Sequence, residues 1–366
     1  MSSDRQSLWR RFTARLKSSL SRVDRDRPPP DHSRPPRAHI LIIDGTQSRL
    51  SENEETNAGI LYKLLREVHR PEDGTLWYHP GIQGHGFWNW VTIASGWGIN
   101  QVIFDGYAQL AENYNPGDKI YLFGFSRGAY AVRSISGMIG TVGLLRCHNA
   151  TKDKLQFAFQ LYESQASPAA RSTFRSIHCH DTTTIEMIGV WDTVKALGLP
   201  YPILTYLAPM ATEFHSTNIS EPVKSGYQAL ALDEDRTAYR PVLWDVDPGW
   251  QGHLEQVWFT GAHADIGGHV WKYPASRKLS NIPLIWMGEN AEKHGLRLPK
   301  GWQSRFPTDA SAPMVGSRAG IGKFFLLRTQ RKQGEKPFEY MHSSTGSAIP
   351  LSAPATESTQ STVSPL

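Results

Sequence analysis

Short apolar runs alternate along the chain with stretches whose apolar residues return every third or fourth position. Ile40-Leu41-Ile42-Ile43, entered from His39, is a run of branched side chains, the pattern of a strand buried on both faces. Ile60, Leu61, Leu64, Leu65 and Val68 then share one face of a helix predicted over 55–68. Residues 71–100 are rich in Gly, Trp and His and are expected to form an irregular surface segment near a site. Val102, Ile103, Tyr107 and Leu110 predict a second helix over 101–113, and Pro116-Gly117-Asp118 predicts a turn. Further strands are predicted over 119–123, 185–191 and 255–259. Helices are predicted from residue 129, over 151–166, over 227–233 and over 282–293, with a loop or lid over 199–226. Strands and helices in this alternation predict an α/β fold, with a mostly parallel central sheet and helices on both faces. In such sheets ligands meet the carboxyl ends of the strands.

One strand-to-helix junction carries a chemical signature. Gly124-Phe125-Ser126-Arg127-Gly128 follows the apolar run 119–123 and precedes the helical run that begins at Ala129. A serine between two glycines in that context is a nucleophile elbow. The glycines allow the tight turn and let the helix approach the strand. Serine is a weak nucleophile unless a base lies within hydrogen-bond reach and a carboxylate orients that base. Asp192 ends the strand predicted at 185–191, and His263 lies just past 255–259 in the glycine-rich Gly261-Ala262-His263-Ala264-Asp265-Ile266-Gly267-Gly268. The order Ser, Asp, His along the chain is that of α/β-hydrolases. The roles assigned are Ser126 as nucleophile, His263 as general base then acid, and Asp192 as orienting carboxylate. The backbone N–H of Arg127 is one expected oxyanion donor, and the second is expected from Gly45 or Thr46 in the Asp44-Gly45-Thr46 loop. Each residue also has a plainer reading: Ser126 and Asp192 as caps, His263 as a structural histidine. Asp265 is a rival carboxylate, although residues i and i+2 of an extended segment point apart.

Composition narrows the class. The chain has 366 residues and 39% hydrophobic side chains, enough for one large α/β domain or two ordinary ones. No apolar run reaches the roughly 18 residues of a membrane-spanning helix, and residues 1–37 lack the apolar core of a secretory signal peptide. A cytoplasmic or peripheral-membrane location is therefore expected. Two cysteines, Cys147 and Cys179, make neither a disulfide framework nor a zinc-ligand spacing, and no metal or other cofactor is expected. Residues 1–37 hold ten of the 39 basic residues and four of the 34 acidic ones. The remainder is close to neutral, which argues against a nucleic-acid-binding face.

Three regions follow. Residues 1–37 form a basic, Pro-rich tail in which Leu8, Phe12, Leu16 and Leu20 recur every fourth residue among arginines, a pattern for peripheral contact with an anionic membrane or for a solubilising tail. Residues 38–340 form the catalytic body. Residues 341–366 are rich in Ser, Thr and Pro and are expected to be disordered. Oligomeric state leaves no mark on the sequence.

Several segments together resemble a known family. They are Ile43-Asp44-Gly45-Thr46, Glu55-Thr56-Asn57, Pro80-Gly81-Ile82-Gln83-Gly84, the stretch from Gly117 to Arg133, Gly189-Val190-Trp191-Asp192-Thr193-Val194, the stretch from Tyr227 to Glu234, and Trp258 to Gly268. In this order they resemble the α/β-hydrolases of the type VI secretion phospholipase-effector type, long catalogued as a domain of unknown function. The resemblance implies Ser126, Asp192 and His263 as the triad and phospholipid acyl esters as substrate. The chain departs in having Gly267-Gly268-His269 where a third glycine and an aromatic are usual. No counterpart of the long C-terminal membrane-binding region of the secreted toxins is expected in these 366 residues. Two other functions stay open at this point. One is metal-dependent phosphoester hydrolysis centred on Asp44, with His263 and Asp265 as further ligands. The other is a non-catalytic lipid- or protein-binding module.

Overall fold

A computed structural model describes residues 34–83, 97–194, 218–219 and 221–346. Its elements are β1 (Ala38–Ile43), α1 (Asn57–Val68), β2 (Gly74–His79), α2 (Trp97–Asn113), β3 (Lys119–Phe125), α3 (Arg127–Val142), α4 (Lys152–Glu163), α5 (Pro168–His178) and β4 (Ile185–Trp191). There follow β5 (Asn218–Ile219), β6 (Ser225–Ala231), β7 (Asp245–Val246), β8 (His253–Phe259), α6 (His263–Gly267), α7 (Arg277–Lys293) and β9 (Glu339–Met341). Seven strands form one sheet in the order β2-β1-β3-β4-β6-β8-β9, and β5 and β7 make a separate two-stranded pair. Every pairing in the large sheet is parallel. The fold is α/β, a parallel seven-stranded sheet with helices around it.

Parallel strands need crossovers, and the helices that make them cover both faces. Alternate residues of β1 enter two different cores. Leu41 and Ile43 pack with Ile103, Tyr107, Leu122, Ile135 and Val190. Ile40 and Ile42 pack with Leu61, Leu65, Phe123, Trp191, Phe259 and Met287. From the neighbouring strands β1 and β3 the chain departs in opposite directions along the sheet, from β1 to β2 on one side and from β3 to β4 on the other. That is the topological switch point, where α/β sheets open a crevice at the carboxyl edge.

Four expectations change. Residues 227–233 do not form a helix: 227–231 belong to β6, which is buried along its whole length between β4 and β8, and 232–233 make the turn that follows it. Ala229-Leu230-Ala231-Leu232 has helical propensity, but a central position in the sheet overrides it. Within 71–100, the stretch expected to be irregular, Gly74–His79 is instead an edge strand on β1 and Trp97 opens α2; 84–96 lie outside the described residues. A further helix, α5, follows the one expected at 151–166. Beyond residue 340 order continues: Met341 pairs with Trp258, and the His342 ring stacks on Phe259 at 4.5 Å. Of the loop expected at 199–226, residues 199–217 and 220 lie outside the described residues, as do 1–33 of the tail and 347–366.

The junction of β3 and α3 requires both of its glycines. A Cβ on Gly128 would lie 2.1 Å from the Ile43 carbonyl oxygen, and one on Gly124 would lie 2.6 Å from the Ala129 nitrogen. The helix thus starts in backbone contact with the end of β1. Gly128→Ala should cost about 3 kcal/mol, the upper range for forcing atoms into a packed interior. Guanidinium unfolding checks this, and an unchanged midpoint would show that the close approach does not matter.

Candidate active site

Three strand ends and one loop deliver the site. Ser126 follows β3 and is the N-cap of α3, with φ 58° and ψ −118°. This is a strained backbone for a residue with a Cβ. Its N–H donates to the Trp191 carbonyl at the end of β4. Its side chain makes no capping bond to the helix, so the hydroxyl serves another partner. Asp192 follows β4, also at positive φ (40°), and its N–H donates to the Ala229 carbonyl. His263 opens α6, the short helix after β8.

These three side chains, distant in sequence, form one chain of hydrogen bonds. His263 Nε2 lies 2.9 Å from Ser126 Oγ, and His263 Nδ1 lies 2.6 Å from Asp192 Oδ2. An ionised carboxylate only accepts, so Nδ1 carries the proton. In the neutral ring Nε2 is then the acceptor, and the Ser126 hydroxyl donates to it. The imidazole is held between the Phe125 ring and the edge-on Tyr239 ring, each with its centroid 4.9 Å away. All three side chains are buried.

Asp192 is fully buried, and its carboxylate takes four hydrogen bonds. Besides His263, Ala231 N–H donates to Oδ1 at 3.0 Å. Arg331 donates from Nη1 to Oδ1 at 2.6 Å and from Nη2 to Oδ2 at 3.0 Å. Burial opposes the ionised form. The Arg331 charge and the His263 hydrogen bond outweigh it and hold the carboxyl well below the ordinary range. A second acid lies close by: Glu234 Oε2 accepts the His263 backbone N–H at 3.2 Å. Burial opposes its ionisation as well, but a two-point pair with Arg236 keeps its pKa lowered. Arg236 in turn lies over the Tyr239 ring at 3.7 Å.

The other candidate residues have local work. Asp44 is fully buried and accepts from Gly45 N–H (2.6 Å), Thr56 Oγ1 (2.6 Å) and Tyr78 OH (2.8 Å). Burial still raises its pKa against those bonds. Asp44 therefore fastens the end of β1 to the start of α1 and to β2. Asp265 accepts from the N–H groups of Ala262, Val315 and Gly316, so its carboxylate secures the α6 turn. Asp44, His263 and Asp265 do not assemble as ligands, and among the described residues no group of three or more His, Cys, Asp or Glu is placed to hold a metal ion. Of the expected oxyanion donors, Arg127 is the first residue of α3, Thr46 sits in the turn after β1, and the Gly45 N–H is engaged with Asp44. Asn57 and Arg277 tether α6 from outside. Asn57 Nδ2 donates to the Ile266 carbonyl, and Arg277 donates to the Gly268 carbonyl and to Asn57.

Sequence reasoning missed Arg331, Glu234, Arg236 and Tyr239 as parts of this site. Glu234 lies within a segment singled out by resemblance. Nothing in the local sequence marks Arg331.

A family model for the type VI secretion phospholipase effector Tle1-like catalytic domain matches residues 37–290. An uncharacterized protein of Saccharomyces cerevisiae is 28% identical over 251 residues, covering 62% of this chain and 35% of the yeast protein. Two solved structures share 16% identity. One is an uncharacterized Pseudomonas aeruginosa protein (TM-score 0.45, covering 83% of this chain and 52% of that one). The other is a Tle1 effector bound to the VgrG spike of a type VI secretion system (TM-score 0.33, covering 67% and 56%). The chain thus spans about a third to just over half the length of these relatives.

The depressed Asp192 pKa makes a stability statement. Its contribution is present above the unfolded value of about 3.9 and is lost as pH falls from there toward the folded one. Asp192→Asn leaves the Arg331 guanidinium buried without a counter-charge, a change that costs about 3–5 kcal/mol in buried pairs. Denaturation midpoints measured from neutral to acid pH should show the variant less stable at pH 7, with the gap closing below pH 4. Equal midpoints at neutral pH would contradict the pairing.

Proposed function

The chain belongs to the Tle1-like phospholipase effector catalytic family, and on that premise we propose that it is a serine hydrolase cleaving phospholipid acyl esters. The observation that carries the reading is the unbroken relay from Ser126 Oγ through the His263 ring to Asp192, at the carboxyl edge of the sheet. In this reading Ser126 Oγ attacks the ester carbonyl carbon while its proton passes to His263 Nε2. The backbone N–H groups of Arg127 and Thr46 receive the developing oxyanion, since Gly45 is turned toward Asp44. The tetrahedral adduct collapses. The ester C–O bond breaks, and His263 returns its proton to the departing alcohol, leaving the acyl group on Ser126. Water then attacks the acyl-enzyme carbonyl as His263 takes its proton; the bond from the acyl carbon to Ser126 Oγ breaks, His263 returns the proton to Oγ, and the free acid leaves. Asp192 holds the tautomer and stabilises the transient imidazolium.

Two features support serine chemistry over a metal-centred site. Asp44 spends its oxygens on Gly45, Thr56 and Tyr78, and the Ser126 hydroxyl points to a histidine rather than capping its helix. Among the described residues no helix is long and apolar enough to cross a membrane, so a lipid substrate would be reached from the water side. The basic stripe of the tail offers the means, drawing the body to anionic bilayers.

Mixed-phospholipid hydrolysis by purified protein tests the reaction, read as released fatty acid. Ser126→Ala should lower the rate by several orders of magnitude, by analogy with other triads, while a chelator leaves the wild type active. Chelator-sensitive hydrolysis that persists in Ser126→Ala would instead place the chemistry elsewhere. Co-sedimentation with anionic vesicles tests the tail, comparing the full chain with a truncation beginning at Arg34. That residue is kept because its guanidinium pairs with buried Asp118 of the body. The truncation should bind less, and equal binding would remove the tail from the proposal.

A further inference from the structure

Arg331 lies outside the segment that matches the family, which ends at residue 290, yet it makes two of the four hydrogen bonds to Asp192. We propose that Arg331 is a positioning residue for the reaction, locking the rotation of the Asp192 carboxylate and balancing its charge beside His263. The proposal rests on the triad reading of Ser126, His263 and Asp192.

The geometry is that of a fork fitted to a plane. Nη1 bridges Asp192 Oδ1 (2.6 Å) and the Ala231 carbonyl (2.9 Å), and Nη2 bridges Asp192 Oδ2 (3.0 Å) and the Tyr239 carbonyl (2.5 Å). Ala231 closes the ring by donating its own N–H to Oδ1. A carboxylate gripped at both oxygens cannot turn about its terminal bond, so Oδ2 stays aimed at His263 Nδ1. Lysine could supply the charge but only one point of contact.

The chain brings Arg331 there by a specific route. Thr329 N–H donates to the Asp235 carbonyl, Thr237 N–H donates to the Leu327 carbonyl, and Arg328 pairs with Asp235. The 327–331 segment is thus zipped to the same loop that carries Glu234, Arg236 and Tyr239. Every group that loop presents to His263 is therefore held in register with Arg331.

The electrostatics follow from the neighbours of the imidazole. Among the described residues, Asp192 after β4 meets the ring and Glu234 after β6 meets the His263 backbone N–H. Arg331 and Arg236 neutralise them. Asp265, on α6 itself, turns its carboxylate to Ala262, Val315 and Gly316. His269 lies beyond the same helix with its pKa lowered by burial. Tyr239 closes one side, with Arg127 acting on that phenol from α3. Taking the Arg331 charge away leaves the carboxylates in excess, which favours the protonated ring and so delays activity to higher pH.

Hydrolysis of a soluble p-nitrophenyl ester by the full chain, followed from pH 5 to 9 with a thermal midpoint for each protein, tests this. Ser126→Ala is the control for the underlying reading: if it hydrolyses like the wild type, the triad itself is wrong. With that control inactive, Arg331→Met should lose about 100-fold in kcat, the scale of an ångström-level misplacement, with KM little changed and the acid limb moved to higher pH. Arg331→Lys should return the acid limb to the wild-type position while recovering only part of kcat. Wild-type kcat in either variant overturns the proposal, as does an equal loss in both with an unmoved acid limb. Should Arg331→Met fail to fold, Arg331→Lys decides: reduced kcat at unchanged KM supports the clamp, and full kcat refutes it.

Discussion

A carboxylate removed entirely from water must be given donors, and Asp192 is the point on which the site turns. Its four hydrogen bonds come from α6, from the end of β6 and from Arg331 far along the chain. A charge left unpaired in such a place would cost several kcal/mol. The surrounding segments can therefore adopt few other arrangements without exposing or neutralising it. The same bonds that make the burial tolerable also orient His263, so stability and the geometry of the relay share one cause.

The second constraint is steric. The backbone at Ser126 lies in a region that side chains avoid, and it persists because the parts around it leave no slack. Gly128 sits against the end of β1, Gly124 against the first turn of α3, and the Ser126 N–H is tied to β4. Asp44 completes the frame from the other side by joining β1, β2 and α1 through one carboxylate. The serine hydroxyl is thereby presented to the imidazole rather than spent on its own helix.

Much of this was legible in the sequence because it is local. Strands β1, β3 and β4 are short apolar runs followed directly by Asp44, Ser126 and Asp192, and His263 lies four residues past β8. The elbow announces itself through two glycines that both prove to be in close backbone contact. Tyr227 to Ala231 misled because alanine and leucine favour a helix until a sheet on both sides claims them. The edge strand β2 is half-buried throughout, so its pattern is neither alternating nor continuously apolar. Arg331 was invisible for a different reason. It is one of 39 basic residues, it meets Asp192 across 139 positions, and a buried ion pair leaves no local periodicity. The sequence left the second oxyanion donor open between Gly45 and Thr46 for a similar reason, since only the fold shows that the Gly45 N–H turns to the neighbouring Asp44.

On the proposed reading these features together make Ser126 nucleophilic, and the most direct measurement is where a fluorophosphonate bonds. Native protein is treated with the reagent, digested and mapped by mass spectrometry. A single phosphonyl adduct on the peptide containing Ser126, formed in the folded protein and lost on denaturation before treatment, is the predicted result. An unmodified Ser126, or an adduct on another residue alone, would contradict it.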